Sequence, residues 1–209
     1  MAQALLFCGP RGVGKTTCAR ILARKINEKS GASDDSGFAF NIYELDAASN
    51  NSVDDIRELI DQVRFAPQVG KFKVYIIDEV HMLSAAAFNA FLKTLEEPPA
   101  HAIFILATTE KHKIIPTILS RCQIYDFKRI TIEDIQEHLR KIADKEGITY
   151  EDDALFLIAQ KADGALRDAL SIFDRLATFT QKNITLAKAA EVLNILDYDQ
   201  YLKIVDLAK

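Results

Sequence analysis

The sequence predicts an α/β fold, in which a five-stranded parallel sheet is followed by a small helical domain. Three observations predict it. Short apolar runs alternate with segments of helical period through residues 1–127, as in strands joined by crossover helices. After Lys128 the strand-like runs stop, and segments of 3.6-residue period follow one another. The 209 residues are also enough for two units that each bury a core of their own.

The predicted strands are short and apolar. The runs VYII before Asp78 and AIFILA before Thr108 are continuous, which is typical of strands buried on both faces of a sheet. Strands are predicted at 4–8, 42–46, 73–78, 103–108 and 124–127.

The predicted helices are marked by the residues at their ends. Two capping boxes occur, SVDD from Ser52 and TIED from Thr131, and each begins a helix. Proline lacks the amide donor, so Pro98-Pro99 must end the helix that begins at Ser84. Gly147 is predicted to be the C-cap of the helix that begins at Thr131. The other helices are predicted at 15–26, 151–162, 165–178 and 185–195, and the two capped helices run to about 65 and 146.

Composition and charge exclude several classes of protein. A hydrophobic fraction of 49% with 27% charged residues excludes a disordered or collagen-like chain. A net charge of -4 argues against a surface coated in positive charge for nucleic acid, although a local basic patch is compatible with it. The three cysteines form no CxxC pair, which indicates a reducing compartment. Without a membrane-length apolar run or a signal peptide, a cytoplasmic protein that does not contact membranes is expected.

The segment GPRGVGKT matches the phosphate loop G-x-x-x-x-G-K-[ST], between a predicted strand and a predicted helix. Its glycines let successive amides point at phosphate oxygens, and the helix N-terminus adds about half a positive charge. Lys15 would reach the β- and γ-phosphates, and the Thr16 hydroxyl would ligate Mg²⁺. The alternative is a plain glycine-rich turn with an exposed lysine. The predicted nucleotide-binding residues are Gly9, Gly12, Val13, Gly14, Lys15, Thr16 and Thr17.

Two carboxylates follow the apolar run of the third predicted strand. Asp78 would lie at the carboxyl end of this strand, where such sheets bind ligands, and would hold the metal with Thr16. Glu79 is the candidate for orienting and deprotonating the attacking water. The alternative is that this acidic pair only ends a buried strand.

Two further features stay open on the residues alone. Thr108-Thr109 follows the fourth strand, and a hydroxyl there either contacts the attacking water or γ-phosphate or satisfies backbone groups. Arg121, just before the last strand, is most simply a surface ion-pair partner.

Longer segments carry a resemblance to a known family. ELDAASNNSVDDIRELI, YIIDEVHMLSAAAFNAFLKTLEEPP, FILATTEKHKIIPTILSRCQIYDF and GALRDALSIFD closely resemble the gamma/tau clamp-loader ATPases of bacterial DNA polymerase III, which belong to the AAA+ class. The resemblance covers nearly all of the chain. It implies an AAA+ P-loop ATPase domain at 1–127, a helical lid at 128–184 and the incomplete start of a collar domain at 185–209.

The resemblance also implies roles for residues that were ambiguous. Thr109 matches the sensor-1 residue. Arg121, in the SRC motif, matches an arginine finger that acts in trans on ATP in the neighbouring subunit, so that hydrolysis depends on assembly. Arg167 matches the sensor-2 arginine of the lid, which contacts the γ-phosphate.

The function implied is ATP binding and hydrolysis with Mg²⁺, as a subunit of DNA-directed DNA polymerase III that drives sliding-clamp loading. The implied partners are other gamma/tau subunits, the delta and delta-prime subunits, the sliding clamp, and primed DNA through the assembled complex. The isolated chain is expected to be monomeric and weakly active. Ser84, Lys111 and Lys113 are candidates for sequence-independent DNA contact, with solvated lysines as the alternative.

Two departures from the family pattern are expected to matter. The family's four-cysteine zinc module is replaced by a cysteine-free segment at 27–41, so zinc is not expected, and KSGASDDSG at 29–37 predicts a flexible surface loop. The adenine-side segment before Met1 and most of the collar are also expected to be missing. Competing functions are a nucleotide-independent stator subunit, which the intact loop argues against, and another AAA+ motor such as a branch-migration or helicase-loading ATPase.

Overall fold

A computed structural model of the chain describes residues 2–28, 41–68 and 70–193. Its contacts divide the chain into two compact units, Met1–Lys128 and Arg129–Lys209. The predicted loop at 29–37 and the predicted helix end at 194–195 lie outside the described residues.

The first unit is a parallel five-stranded sheet with helices on both faces, which confirms the predicted α/β fold class. The strand order is β2-β3-β4-β1-β5. Its elements are β1 Ala4–Cys8, α1 Lys15–Glu28, β2 Ile42–Asp46, α2 Val53–Val63, β3 Lys73–Asp78, α3 Ala85–Glu96, β4 Ala102–Thr108, α4 Pro116–Leu119 and β5 Gln123–Asp126, with 3-10 turns at Val80–Met82 and Lys111–Lys113.

The central strands are buried on both faces because alternate side chains enter two separate apolar layers. In β1, Leu6 packs in the layer that contains α2 and α3, whereas Leu5 packs in the layer that contains α1. β4 pairs with β1 on one side and β3 on the other, with Cys8 opposite Thr108 and Ile77 opposite Leu106. The carboxyl ends of β1, β4 and β3 therefore lie side by side, and the segments that follow them share one edge of the sheet.

The two predicted capping boxes differ in the structure. At α2 the box is complete: Asp55 N donates to Ser52 Oγ at 3.1 Å, and Ser52 N donates to Asp55 Oδ2 at 3.1 Å. At the first helix of the second unit, Asp134 N donates to Thr131 Oγ1 at 3.2 Å, but within the described residues no reciprocal bond forms. Thr131 is an N-cap without a full box.

The second unit is mainly helical around an apolar core that includes Leu139, Leu155 and Phe173. The prediction that strands stop after Lys128 is wrong in one detail, because two two-residue strands pair in parallel. Segments of two residues are too short to show an alternating pattern. The elements are α5 Ile132–Glu146, β6 Thr149–Tyr150, α6 Asp152–Lys161, α7 Leu166–Phe179, β7 Asn183–Ile184 and α8 Leu186–Val192, and Gly147 caps α5 with φ 64° as predicted.

Within the described ranges, no helix combines the length and the apolar character that crossing a bilayer needs.

We expect Tyr75→Phe to stabilise the first unit. Tyr75 is fully buried between Tyr43 and Phe104, and among described residues its hydroxyl has no hydrogen-bond partner. Removing an unsatisfied buried hydroxyl should raise the free energy of unfolding by about 1 kcal/mol, measured by urea denaturation. The control is Tyr125→Phe, at a ring that is 43% exposed, where we expect no more than about 0.5 kcal/mol. A loss of stability in Tyr75→Phe would contradict this account.

Candidate nucleotide-binding site

The phosphate-loop motif forms the turn between β1 and α1. Gly9, Gly12 and Gly14 all have positive φ, at 145°, 78° and 95°. In the described part of the chain, the backbone amides of residues 14–16 donate to no protein acceptor. The helix N-terminus contributes its positive dipole end at the same place. Together these groups form a concave set of donors suited to an anion.

Lys15 is the first residue of α1, and its side chain curls back over the loop. Its Nζ donates to Gly9 O at 2.8 Å and to Pro10 O at 2.7 Å, and the residue is 6% exposed. Burial lowers the pKa of Lys15, while the charges of Glu79 and Asp78 act in the opposite direction. The loop thus has a cation held at its centre by its own carbonyls.

Thr16 and Asp78, the two predicted metal ligands, lie in direct contact. Thr16 Oγ1 donates to Asp78 Oδ2 at 2.5 Å, and Asp78 Oδ1 accepts from Glu79 N at 2.9 Å. Hydroxyl and carboxylate oxygens are the donors that Mg²⁺ prefers, so the pair fits this ion. Among described residues no cluster of three His, Cys, Asp or Glu side chains forms a metal site by itself. Water and phosphate oxygens would therefore complete the coordination shell.

Glu79 lies beside Asp78 in the left-handed backbone region, at φ 47° and ψ 44°. Its Oε2 accepts from Thr109 N at 3.1 Å and from Thr109 Oγ1 at 2.9 Å. Left-handed backbone at a non-glycine residue is unfavourable, and such strain clusters at functional sites. The two hydrogen bonds bring Glu79, the predicted water-activating carboxylate, and Thr109, the predicted sensor, into direct contact.

The other predicted loop residues, Val13 and Thr17, differ in their exposure to solvent. Val13 is buried, and Thr17 is exposed in the first turn of α1. Thr108 is fully buried at the end of β4, and its Oγ1 accepts from Glu110 N at 3.0 Å. Thr108 thus satisfies a backbone group, which is the alternative left open for this threonine pair, while Thr109 contacts Glu79.

Arg121 makes the surface ion pair that its sequence position favours. It follows α4, and its Nη2 lies 2.6 Å from Glu96 Oε1 while Nη1 donates to Thr117 O at 2.7 Å. It forms no hydrogen bond with the phosphate loop. Arg167 belongs to the second unit, in the first turn of α7, where it is exposed and joins no ion pair within the described ranges. The trans role of Arg121 and the lid role of Arg167 stay predictions.

The lysines proposed for DNA contact are both paired with acidic side chains. Lys111 Nζ lies 3.0 Å from Asp126 Oδ1, and Lys113 forms an ion pair with Glu110. Ser84 is the N-cap of α3 and accepts from Ala87 N at 3.2 Å.

His81 is a site residue that the sequence analysis does not single out. It lies in the Val80–Met82 turn, and its Nδ1 is 2.9 Å from Thr108 Oγ1 and 3.4 Å from Glu79 Oε2. The sequence signal for this site residue is a histidine that follows Glu79, the candidate base, by two residues in an otherwise apolar run.

The fold and this loop define a P-loop NTPase of the AAA+ class with a helical lid. Residues 1–131 match the family described as DNA polymerase III, delta subunit, and residues 134–182 match the DNA polymerase III clamp loader subunit, ATPase lid domain. The chain therefore belongs to the DNA polymerase III clamp-loader subunit family.

Curated relatives agree with this assignment. The chain is 52% identical to DNA polymerase III subunit tau of Bacillus subtilis over 86% of this chain and 34% of that protein. It is 46% identical to subunit gamma of Buchnera aphidicola over 97% of this chain and 58% of that protein, and 44% identical to subunit tau of Escherichia coli over 98% and 34%. The chain thus spans between a third and three fifths of the length of these relatives.

Solved structures support the fold alone. The Thermotoga maritima RuvB Holliday junction branch migration motor matches with a TM-score of 0.69 and 22% identity, covering 95% of this chain and 63% of that one. This similarity agrees with the AAA+ architecture and carries no argument about activity.

We expect Gly9→Ala to destabilise the chain more than Gly14→Ala. A Cβ at Gly9 would overlap the carbonyl oxygen of Phe127, whereas a Cβ at Gly14 has nothing within 4 Å. Gly14→Ala should therefore show backbone strain alone, about 1–3 kcal/mol, and Gly9→Ala should show strain plus displacement of the strand end. Urea denaturation without nucleotide measures both. Equal losses would contradict the close approach at Gly9.

Proposed function

We propose that the chain binds ATP with Mg²⁺ at this site and hydrolyses it as the motor subunit of a clamp loader. Hydrolysis would drive loading of a sliding clamp onto primed DNA by the bacterial replicative polymerase. The observation that carries the proposal is the hydrogen bond between Thr16 and Asp78, at the mouth of a loop whose amides at residues 14–16 have no acceptor among the described residues. A nucleotide-independent stator needs neither feature.

Each contact in the site has a role in the proposed binding and hydrolysis of ATP. The loop amides and Lys15 bind the phosphates and stabilise the negative charge that shifts in the transition state. Thr16 and Asp78 would hold Mg²⁺, which when bound neutralises charge on the β- and γ-phosphate oxygens. Glu79 accepts the proton of the attacking water, and Thr109 fixes its carboxylate.

The two arginines complete the proposal. Arg121 would act on ATP in a neighbouring subunit and Arg167 would contact the γ-phosphate from the lid, each supplying positive charge during transfer. The proposed partners are further gamma/tau-type subunits, delta and delta-prime subunits, the clamp and primed DNA, in the bacterial cytoplasm. Because Lys111 and Lys113 are already paired with carboxylates, we assign DNA contact to the assembled complex.

The first test is nucleotide binding by Lys15→Ala. Loss of the buried ammonium removes charge-assisted contacts to phosphate, so ATP affinity should fall on the order of 100-fold in a fluorescent-nucleotide titration. The matched control is Lys25→Ala on the same helix, where the lysine is exposed and paired with Glu28. Affinity unchanged in Lys15→Ala would refute the proposed site.

The second test concerns Arg121→Ala in an assembly with partner clamp-loader subunits. The variant should bind ATP normally but fail to activate its neighbour, with hydrolysis at that junction lower by about 10³-fold. Arg57→Ala, at an exposed pair with Asp54, is the control. Mixing Arg121→Ala with Lys15→Ala subunits should restore turnover where an intact arginine meets an intact loop. Loss of ATP binding by isolated Arg121→Ala would contradict the trans assignment.

A further inference from the structure

We propose that His81 is a positioning residue for the Glu79 carboxylate, and that it leaves Glu79 Oε1 as the oxygen that takes the proton from the attacking water. This inference rests on the proposed function, because it concerns the partner of the proposed base.

The geometry around His81 is that of a fixed side chain. Its side chain is 6% exposed, and the ring bridges the turn after β3 and the end of β4. Nδ1 lies 2.9 Å from Thr108 Oγ1 and 3.4 Å from Glu79 Oε2. A single ring atom therefore faces both the buried threonine and the carboxylate.

The contact with the Glu79 carboxylate is our reason for assigning one tautomer to the ring. A carboxylate oxygen attracts an N–H and repels a nitrogen lone pair, so we assign the proton to Nδ1. Thr108 Oγ1 accepts from Glu110 N and has a second lone pair for Nδ1–H. One N–H is then shared between a hydroxyl and the carboxylate.

The donors that contact Glu79 all lie against the same carboxylate oxygen, Oε2. Oε2 receives Thr109 N, Thr109 Oγ1 and the longer contact from His81, whereas among described residues no hydrogen bond reaches Oε1. The three contacts on Oε2 fix the orientation of the carboxylate and leave Oε1 as the oxygen free to face the attacking water.

Three substitutions of His81 separate positioning from structural support. The amide of Asn places a donor close to the position of Nδ1, whereas Gln carries its amide one bond farther from the backbone. We expect His81→Ala and His81→Gln to lower kcat for ATP on the order of 10- to 100-fold, because a misdirected base costs this much, with KM unchanged. His81→Asn should recover most of the lost rate.

A second readout needs no nucleotide. In the wild-type chain, the amide proton of Thr109 should be shifted downfield in NMR spectra by its bond to Glu79. His81→Ala should move it in the same direction as Glu79→Gln does, and His81→Asn should leave it near the wild-type position.

The outcomes distinguish this inference from the proposed function. If Lys15→Ala abolishes turnover while every His81 variant keeps the wild-type kcat, the inference is wrong and the proposed function stands. If His81→Asn is no better than His81→Ala, or KM rises while kcat holds, His81 is only structural. If Lys15→Ala changes neither binding nor turnover, the proposed function fails, and the Thr109 amide still decides whether His81 fixes Glu79.

Discussion

The hydrogen bond between Thr16 and Asp78 is the contact on which the rest of the site depends. It joins the first turn of α1, which follows β1, to the end of β3, and β4 lies between these two strands in the sheet. It forms because the parallel strands end at one edge, and because buried apolar side chains cover both faces of the sheet and hold that edge. The apolar core therefore sets the geometry of the polar site.

The charges of the site are arranged to compensate one another. Lys15 is buried, and its pKa falls because burial disfavours the ammonium, while the nearby carboxylates of Glu79 and Asp78 oppose that effect. Its ammonium also donates to two carbonyls of its own loop. A buried charge without such partners would be too costly to retain. The carboxylates are in turn held by donors, Asp78 by Thr16 and Glu79 by Thr109. Each ionised group thus has a fixed direction before any ligand arrives, which is what electrostatic preorganisation requires.

Arg121, which we propose acts on a neighbouring subunit, is held by contacts within its own chain. Its guanidinium is held by Glu96 and by the Thr117 carbonyl, at the surface and apart from the loop. A partly exposed pair of this kind contributes at most about 1 kcal/mol, so it orients the arginine without locking it. The proposed trans contact can therefore replace it at small cost.

The sequence by itself determined the α/β class, the five strands of the first unit to within one residue, its helices α1, α2 and α3, and the phosphate-loop and carboxylate residues, because these depend on local period, capping residues and a contiguous motif. It did not predict the short helix α4. The loop at 29–37 and the residues after 193 lie outside the described structure. Sequence did not reveal the paired β6 and β7 strands, the missing half of the Thr131 box or the contact of His81 with Glu79. Only the structure decided these, for three physical reasons. β6 and β7 pair residues that are far apart in the chain, and His81 meets Glu79 where Thr108 and Thr109, at the end of β4, hold both side chains. The Asp134 rotamer, on which the second half of the Thr131 box depends, is not fixed by residue type.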